Sequence, residues 1–182
     1  AFTERFRWVA GVGGNHDLFG TPRERERFTD LPGVHFLDGT ATELDGLRIG
    51  GVSGIIGNPR KPGRRDDQTF FELLDLALFC RPEVLILHEG PDAPRFRRPG
   101  NPSIREHLEV ARRDLLIVCG HAHWHEPLAQ LDSGSQILNV DARAVLLFGH
   151  VPIPRSGMIR PDAHFYRPFP ADTYYAEIGR AH

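Results

Sequence analysis

Three apolar segments that each run into metal-binding residue types constrain the fold of this chain more than any other feature. The three are residues 9–12 before Gly-Asn-His-Asp at 14–17, residues 84–87 before His88, and residues 115–119 before Gly-His-Ala-His at 120–123. Short continuous apolar runs of this kind are typical of strands that are buried on both faces of a parallel sheet. Because such sheets place ligand sites at the carboxyl ends of their strands, we expect the three polar ends to meet.

Helical patterns between these strands complete an α/β arrangement. Residues 66–80 carry apolar side chains at steps of three and four, which predicts a helix with one buried face. Further helices are predicted over residues 21–28, which begin with Thr-Pro, and over residues 102–113, with Asn101 as the cap. The alternation of strands and helices, without an internal repeat or linker, predicts one domain over residues 1–182.

Shorter patterns fill in the remainder of the chain. An Asp-Gly pair at 45–46 between apolar residues predicts a hairpin. Residues 57–65 are rich in proline, glycine and basic side chains, and we expect a loop that is either solvated or faces a phosphate-bearing substrate. A three-stranded meander is predicted at residues 127–131, 136–140 and 144–148. The proline-rich residues 150–182 are predicted to form an irregular tail.

Composition and charge exclude several classes of protein. The 182 residues include 22 basic and 24 acidic side chains, so the net charge of -2 offers no global attraction to nucleic acid or to an anionic membrane. The apolar runs are far shorter than the roughly 20 residues that cross a bilayer. Cys80 and Cys119 each end an apolar segment, and no targeting peptide is visible, which together favour a reduced protein of the cytoplasm.

The polar strand ends carry the residue types that bind metal ions. Imidazole is the commonest protein ligand for zinc, manganese and iron, and His121 and His123, two apart on an extended segment, project to the same side. Each residue also has an alternative interpretation when it is considered alone. His88 could be a partly buried histidine that forms a hydrogen bond, and Asn15 could be an ordinary turn residue. The pair His121 and His123 could belong to a polar turn. Their shared position after apolar strands favours a common site.

These motifs resemble a known family. Gly-Asn-His-Asp at 14–17, the strand-end His88 and Gly-His-Ala-His at 120–123 are similar, in order and spacing, to the last three motifs of the calcineurin-like metallophosphoesterase superfamily. The resemblance implies an α/β fold, a metallophosphoesterase-type β-sandwich flanked by helices. It also implies a metal-dependent phosphoesterase that hydrolyses a phosphomonoester or phosphodiester with a water activated by two divalent ions of Mn, Fe or Zn.

The same resemblance implies a role for each site residue. Asn15, His88 and His121 would bind one metal ion and His123 the other. His16 would not be a ligand but would assist the leaving group as the catalytic residue, with Asp17 placed to orient it. The implied partner is a phosphate-ester substrate. No membrane is implied, and nucleic acid is implied only as such a substrate.

One departure from the family pattern leaves an alternative open. The family begins with Asp-x-His and then Gly-Asp, yet residues 1–13 contain neither aspartate nor histidine. We therefore expect the N-terminal strands of the fold to be lacking from this sequence. The expected consequence is either that the chain forms an oligomer or that an N-terminal segment is missing from the sequence. The alternative function is a non-catalytic binding or scaffold module. A second Asp-x-His, Asp162 to His164, suggests circular permutation only weakly, because no apolar strand precedes it and no Gly-Asp follows.

Overall fold

A six-stranded sheet forms the centre of a computed structural model that describes residues 5–17, 20–111, 114–148 and 174–180. The strands, in spatial order, are β3 (Thr40–Leu44), β4 (Leu47–Val52), β7 (Val84–Glu89), β8 (Leu116–Gly120), β10 (Gln136–Asn139) and β9 (Leu128–Gln130). The four inner strands are parallel to one another, and the two edge strands run antiparallel to their neighbours. The carboxyl ends of β7, β8 and β10 therefore lie side by side.

Three two-stranded sheets accompany the central sheet. β1 (Val9–Gly11) pairs in parallel with β2 (Val34–Phe36), and β5 (Ile55–Ile56) pairs in parallel with β6 (Arg64–Arg65). The last pair is antiparallel and joins β11 (Arg143–Phe148) to β12 (Tyr174–Arg180).

Two of these pairs differ from the sequence prediction. β11 was predicted as the third strand of a meander, but it pairs with β12, which lies inside the tail predicted to be irregular. β6 lies inside the loop predicted over residues 57–65, because Arg64 and Arg65 pair with the two isoleucines of β5. Residues 150–173, 181 and 182 of the predicted tail lie outside the described residues.

Three α-helices follow the predicted segments, and capping explains where they begin. α1 (Pro22–Thr29) starts with a capping box, in which Thr21 and Glu24 satisfy each other's backbone N–H groups. α2 (Asp67–Phe79) starts where the Asp66 side chain accepts from the Thr69 N–H at 2.8 Å. α3 (Pro102–Ala111) starts behind Asn101, as predicted. A short 3₁₀ helix occupies Pro94–Phe96.

The core lies between the central sheet and the two longer helices. Leu85, Ile117 and Ile137 stand in one row across β7, β8 and β10, and all three are fully buried. Phe70 and Leu74 of α2 are fully buried against the sheet. Two apolar side chains of α3, Ile104 and Leu108, are buried as deeply. Each such side chain contributes roughly 1.5–3 kcal/mol through burial. This core holds the strands in place, and so determines the positions of the polar residues at their carboxyl ends.

The fold confirms the predicted α/β class, with a six-stranded central sheet flanked by helices in agreement with a metallophosphoesterase-type fold. The structure divides into two compact units, Ala1–Asp141 and Ala142–His182, and the single domain over residues 1–182 stays a prediction. Among the described segments, none of the helices has the length and hydrophobicity that crossing a bilayer requires.

Candidate functional site

Three of the predicted site residues converge at the carboxyl ends of the strands. Asn15 lies in the loop after β1 and is only 9% exposed, and its side-chain Oδ1 lies 2.9 Å from Nε2 of His88 in β7. The ring of His121, just after β8, lies with its centroid 5.1 Å from that of His88. Two histidines and an asparagine from three separate parts of the chain thus form one cluster.

The turn after β8 sets the position of His121. This residue has a φ of 66°, in the left-handed region that few non-glycine residues adopt, and the Ala122 N–H donates to the Gly120 carbonyl at 2.8 Å. The sharp turn leaves the His121 side chain exposed at the sheet edge. Backbone strain of this kind clusters at functional sites.

His123 lies against a residue that the sequence prediction did not include. The Nδ1 atom of His123 contacts Oδ2 of Asp141. Asp141 is the second residue after the end of β10. The fully buried Asn139 connects the two segments, because its Nδ2 donates to the Ala122 carbonyl and its Oδ1 accepts from the Asp141 N–H, both at 2.9 Å. Asp141 was missed because nothing in the sequence spacing links it to His123.

His16 and Asp17 have separate environments. His16 is exposed, in the loop beside Asn15, where a general acid would be accessible to substrate. The Asp17 carboxylate accepts from the Gly14 N–H at 2.6 Å and so stabilises the turn itself. The orientation of His16 by Asp17 stays a prediction.

Electrostatics favour the neutral form of His88. Burial lowers the pKa of His88, and the neighbouring His121 and His16 imidazoles act in the same direction. Asp17 and Asp141 act in the opposite direction and lessen this shift in the pKa of His88. A neutral imidazole keeps a nitrogen lone pair that can bind a metal ion at neutral pH.

A segment that includes the predicted loop over residues 57–65 holds Asn15 in place. We call residues 53–65 the clamp. The Gly54 N–H donates to the Gly13 carbonyl at 2.7 Å, and the Gly13 N–H donates to the Ser53 hydroxyl at 3.0 Å. Gly63 packs so tightly that a Cβ there would lie 2.5 Å from the Asn15 Cα. The glycines of the segment were the available sequence signal.

Arg65 at the end of the clamp is bound within the protein. Its guanidinium donates to both carboxylate oxygens of Asp38, at 2.9 and 2.5 Å, and to the Ser53 carbonyl. Asp38 also accepts from the Ser53 N–H. The sequence analysis left two interpretations of the basic loop open, a solvated loop and a loop that faces a phosphate. Neither interpretation describes Arg65, because its guanidinium is bound within the protein.

The clamp also reaches the strand that carries His88. The Ile56 N–H donates to the Glu89 carboxylate at 2.7 Å, and Asn101 Nδ2 donates to the other oxygen of Glu89 at 3.2 Å. The residue next to His88 is therefore held both by the clamp and by the residue that precedes α3. One segment thus positions both partners of the Asn15–His88 contact.

Two atoms of the cluster have the spacing of adjacent ligands of one divalent ion. Metal–ligand bonds of about 2.1 Å at a right angle place two donor atoms about 3 Å apart, which matches the distance between Asn15 Oδ1 and His88 Nε2. Among the described residues, no group of three or more His, Cys, Asp or Glu side chains is arranged to hold a metal ion. Asn15, His88 and His121 themselves bring no carboxylate to the cluster. Asp162 and His164 lie outside the described residues.

A cavity of about 840 Å³ borders the same loop. Gly13, Gly14 and Asp17 line one part of it, and residues in or next to α1, β2 and the clamp line the rest. The cavity thus lies next to the turn that carries Asn15 and His16.

Comparisons with known proteins support the fold. No protein-family model matches the sequence, and no curated protein matches it. The solved structure of TT1561 of Thermus thermophilus is similar, with a TM-score of 0.59 and 19% sequence identity over 72% of this chain. The chain spans 62% of the length of that protein. At this identity the likeness shows a shared fold and nothing finer.

Proposed function

We propose that this chain is a metal-dependent phosphoesterase of the calcineurin-like metallophosphoesterase superfamily, which hydrolyses a phosphomonoester or phosphodiester. The observation that supports the proposal is the convergence of Asn15, His88 and His121 at one edge of the sheet. Ligand sites form at this edge in α/β proteins. The similarity in fold to TT1561 is consistent with the family but does not decide the activity.

The cluster would hold one divalent ion, and His123 would contribute to a second. The lowered pKa of His88 keeps its imidazole neutral at pH 7, as a ligand must be. Divalent ions there would offset charge on phosphoryl oxygens and make water a stronger acid. Imidazole and amide donors suit Mn, Fe and Zn alike, so several ions would serve.

His16 would act on the leaving group. Its exposed ring lies one residue from Asn15, so a phosphate bound at the cluster lies within reach of a proton held on His16. Transfer of that proton to the departing oxygen would allow the leaving group to depart as a neutral alcohol instead of a high-energy alkoxide. The cavity beside Gly14 and Asp17 would receive the alcohol part of the ester.

Hydrolysis of bis(p-nitrophenyl) phosphate by the purified full-length protein with Mn²⁺ tests the proposal. We expect His121→Ala to abolish both turnover and metal binding, because it removes a ligand from the cluster. His125→Ala is the matched control, since it removes an exposed histidine four positions away in the same loop. Full activity in His121→Ala would remove the site assignment. Metal binding without hydrolysis of any ester would favour the scaffold alternative.

The cellular setting is proposed as cytoplasmic. Both cysteines are free, which suits a reducing compartment.

A further inference from the structure

We propose that Asp141 is a positioning residue that fixes the orientation and tautomer of His123, so that Nε2 of this histidine faces the site. The inference rests on the proposed function, because it assigns the purpose of that nitrogen to metal binding. It starts from the contact between His123 Nδ1 and Asp141 Oδ2.

The two side chains differ greatly in how firmly they are held. The His123 side chain is 87% exposed, so packing does little to select one rotamer of its ring. The Asp141 side chain is only 18% exposed, and its backbone N–H is held by the buried Asn139. The better-anchored partner therefore determines where the imidazole lies.

The connection between the two segments is made more than once. Val140 donates its N–H to the Cys119 carbonyl at 2.7 Å, and Asn139 Nδ2 donates to the Ala122 carbonyl. The end of β10 is thus bound to the end of β8 and to the turn that follows. The contact between Asp141 and His123 adds a side-chain link to a rigid backbone arrangement, unlike an isolated ion pair between two mobile surface side chains.

The chemistry of the contact determines which nitrogen is free. A lone pair on Nδ1 of His123 would face the carboxylate oxygen at this close contact and be repelled by it, so Nδ1 carries the proton and Nε2 carries the lone pair. Carboxylates in this position raise the basicity of metal-binding histidines and fix their ring orientation. Asp141 also lies near enough to His88 to affect its electrostatics, which places this carboxylate within the same site.

The first measurement needs no metal. Nitrogen-15 spectra of the histidine side chains, recorded with a chelator present, report which ring nitrogen of His123 is protonated. We expect the Nδ1–H form in the unaltered protein and a mixture of both tautomers in Asp141→Ala. Asp141→Asn keeps an oxygen that can lie beside Nδ1 but removes the charge, so it should retain more of the Nδ1–H form than Asp141→Ala.

The second measurement is Zn²⁺ affinity by titration calorimetry. Loss of such a partner typically lowers affinity about 10–100-fold, and we expect this for Asp141→Ala, with a smaller loss for Asp141→Asn. Asp132→Ala is the matched control, because Asp132 forms an exposed ion pair with Arg95. Circular dichroism checks that each variant folds.

The two measurements separate the possible failures. An Nε2–H tautomer in the unaltered protein, or a tautomer that Asp141→Ala leaves unchanged, would overturn the inference. Unchanged Zn²⁺ affinity in a folded Asp141→Ala protein would overturn it as well. If the unaltered protein binds no metal, the proposed function fails, and with it the purpose given to Asp141.

Discussion

Nε2 of His88 lies 2.9 Å from Oδ1 of Asn15, although the two residues are 73 positions apart in the chain. When Nε2 carries a proton, the contact is a hydrogen bond. When Nε2 is unprotonated, the same two atoms have the spacing of neighbouring ligands of one cation. Gly14 makes the approach feasible, since a Cβ there would lie 2.7 Å from the His88 ring. The clamp holds both sides of this contact.

Gly63→Ala should disturb the site through the backbone of Asn15. The new Cβ would lie 2.5 Å from the Asn15 Cα, and the φ of 64° at this position disfavours any side chain by about 1–2 kcal/mol. We expect Zn²⁺ affinity to fall by roughly tenfold or more, as for other changes that move a ligand. Calorimetric titration of the folded variant measures this.

Gly46→Ala is the control for backbone strain alone. Gly46 has a φ of 81° in the β3–β4 hairpin, but a Cβ there meets nothing within 4 Å. Both variants should lose stability, and only Gly63→Ala should lose metal affinity. Equal metal affinity in the two variants would show that the clamp does not position Asn15.

His16→Gln should slow hydrolysis without releasing metal. Glutamine has similar length but cannot transfer a proton, so we expect kcat to fall by roughly a hundredfold. The defect should be smaller for p-nitrophenyl esters than for alkyl esters, because a good leaving group needs less protonation. Metal content by elemental analysis should be unchanged, and its loss would make His16 a ligand instead.

The sequence predicted those features that depend on local pattern. The apolar strands before His88 and His121 were correctly predicted, because burial in the parallel sheet leaves a readable apolar run. The strand before Asn15 was also found, but the expectation that it is buried in the same sheet was wrong, because β1 is half-buried and, among the described strands, pairs only with β2. The Asp-Gly hairpin turn was also correct, with positive φ at both residues. The predicted caps Thr21 and Asn101 marked the starts of α1 and α3.

Features that depend on tertiary contacts were missed. β11 pairs with a strand about thirty residues away, and no local pattern encodes the choice of partner for a strand. Residues 57–65 of the clamp were predicted as a loop, either solvated or facing a substrate, because Gly63 and Arg65 acquire a role only when Asn15 and Asp38 lie beside them. The pairing of His123 with Asp141 has the same origin.

Acidification should destabilise the protein through His88. Folding lowers the pKa of His88, so the unfolded chain, with its ordinary value of 6.5, binds the proton more tightly. The free energy of unfolding should therefore decrease as the pH falls below about 6.5 and should be unaffected by this group at higher pH. Urea unfolding with a chelator present, at about pH 7.5 and about pH 5.5, measures the difference.

His88→Gln isolates this contribution. The variant has no imidazole at this position, so its loss of stability over the same pH interval should be smaller than that of the unaltered protein. An equal loss in both proteins would mean that other groups carry the pH dependence.

Cys119 should be unreactive while β8 remains folded. Burial, with a smaller effect of Asp141, raises the pKa of the Cys119 thiol to about 12, whereas Cys80 is exposed. Because the thiolate is the reactive form, less than about one thiol in a thousand would be ionised at Cys119 near pH 8, even if a reagent could reach it. We expect dithionitrobenzoate to modify one thiol per native chain and two in denaturant. Cys80→Ser should abolish the native reaction, and rapid reaction in that variant would show that the strand carrying His121 opens readily.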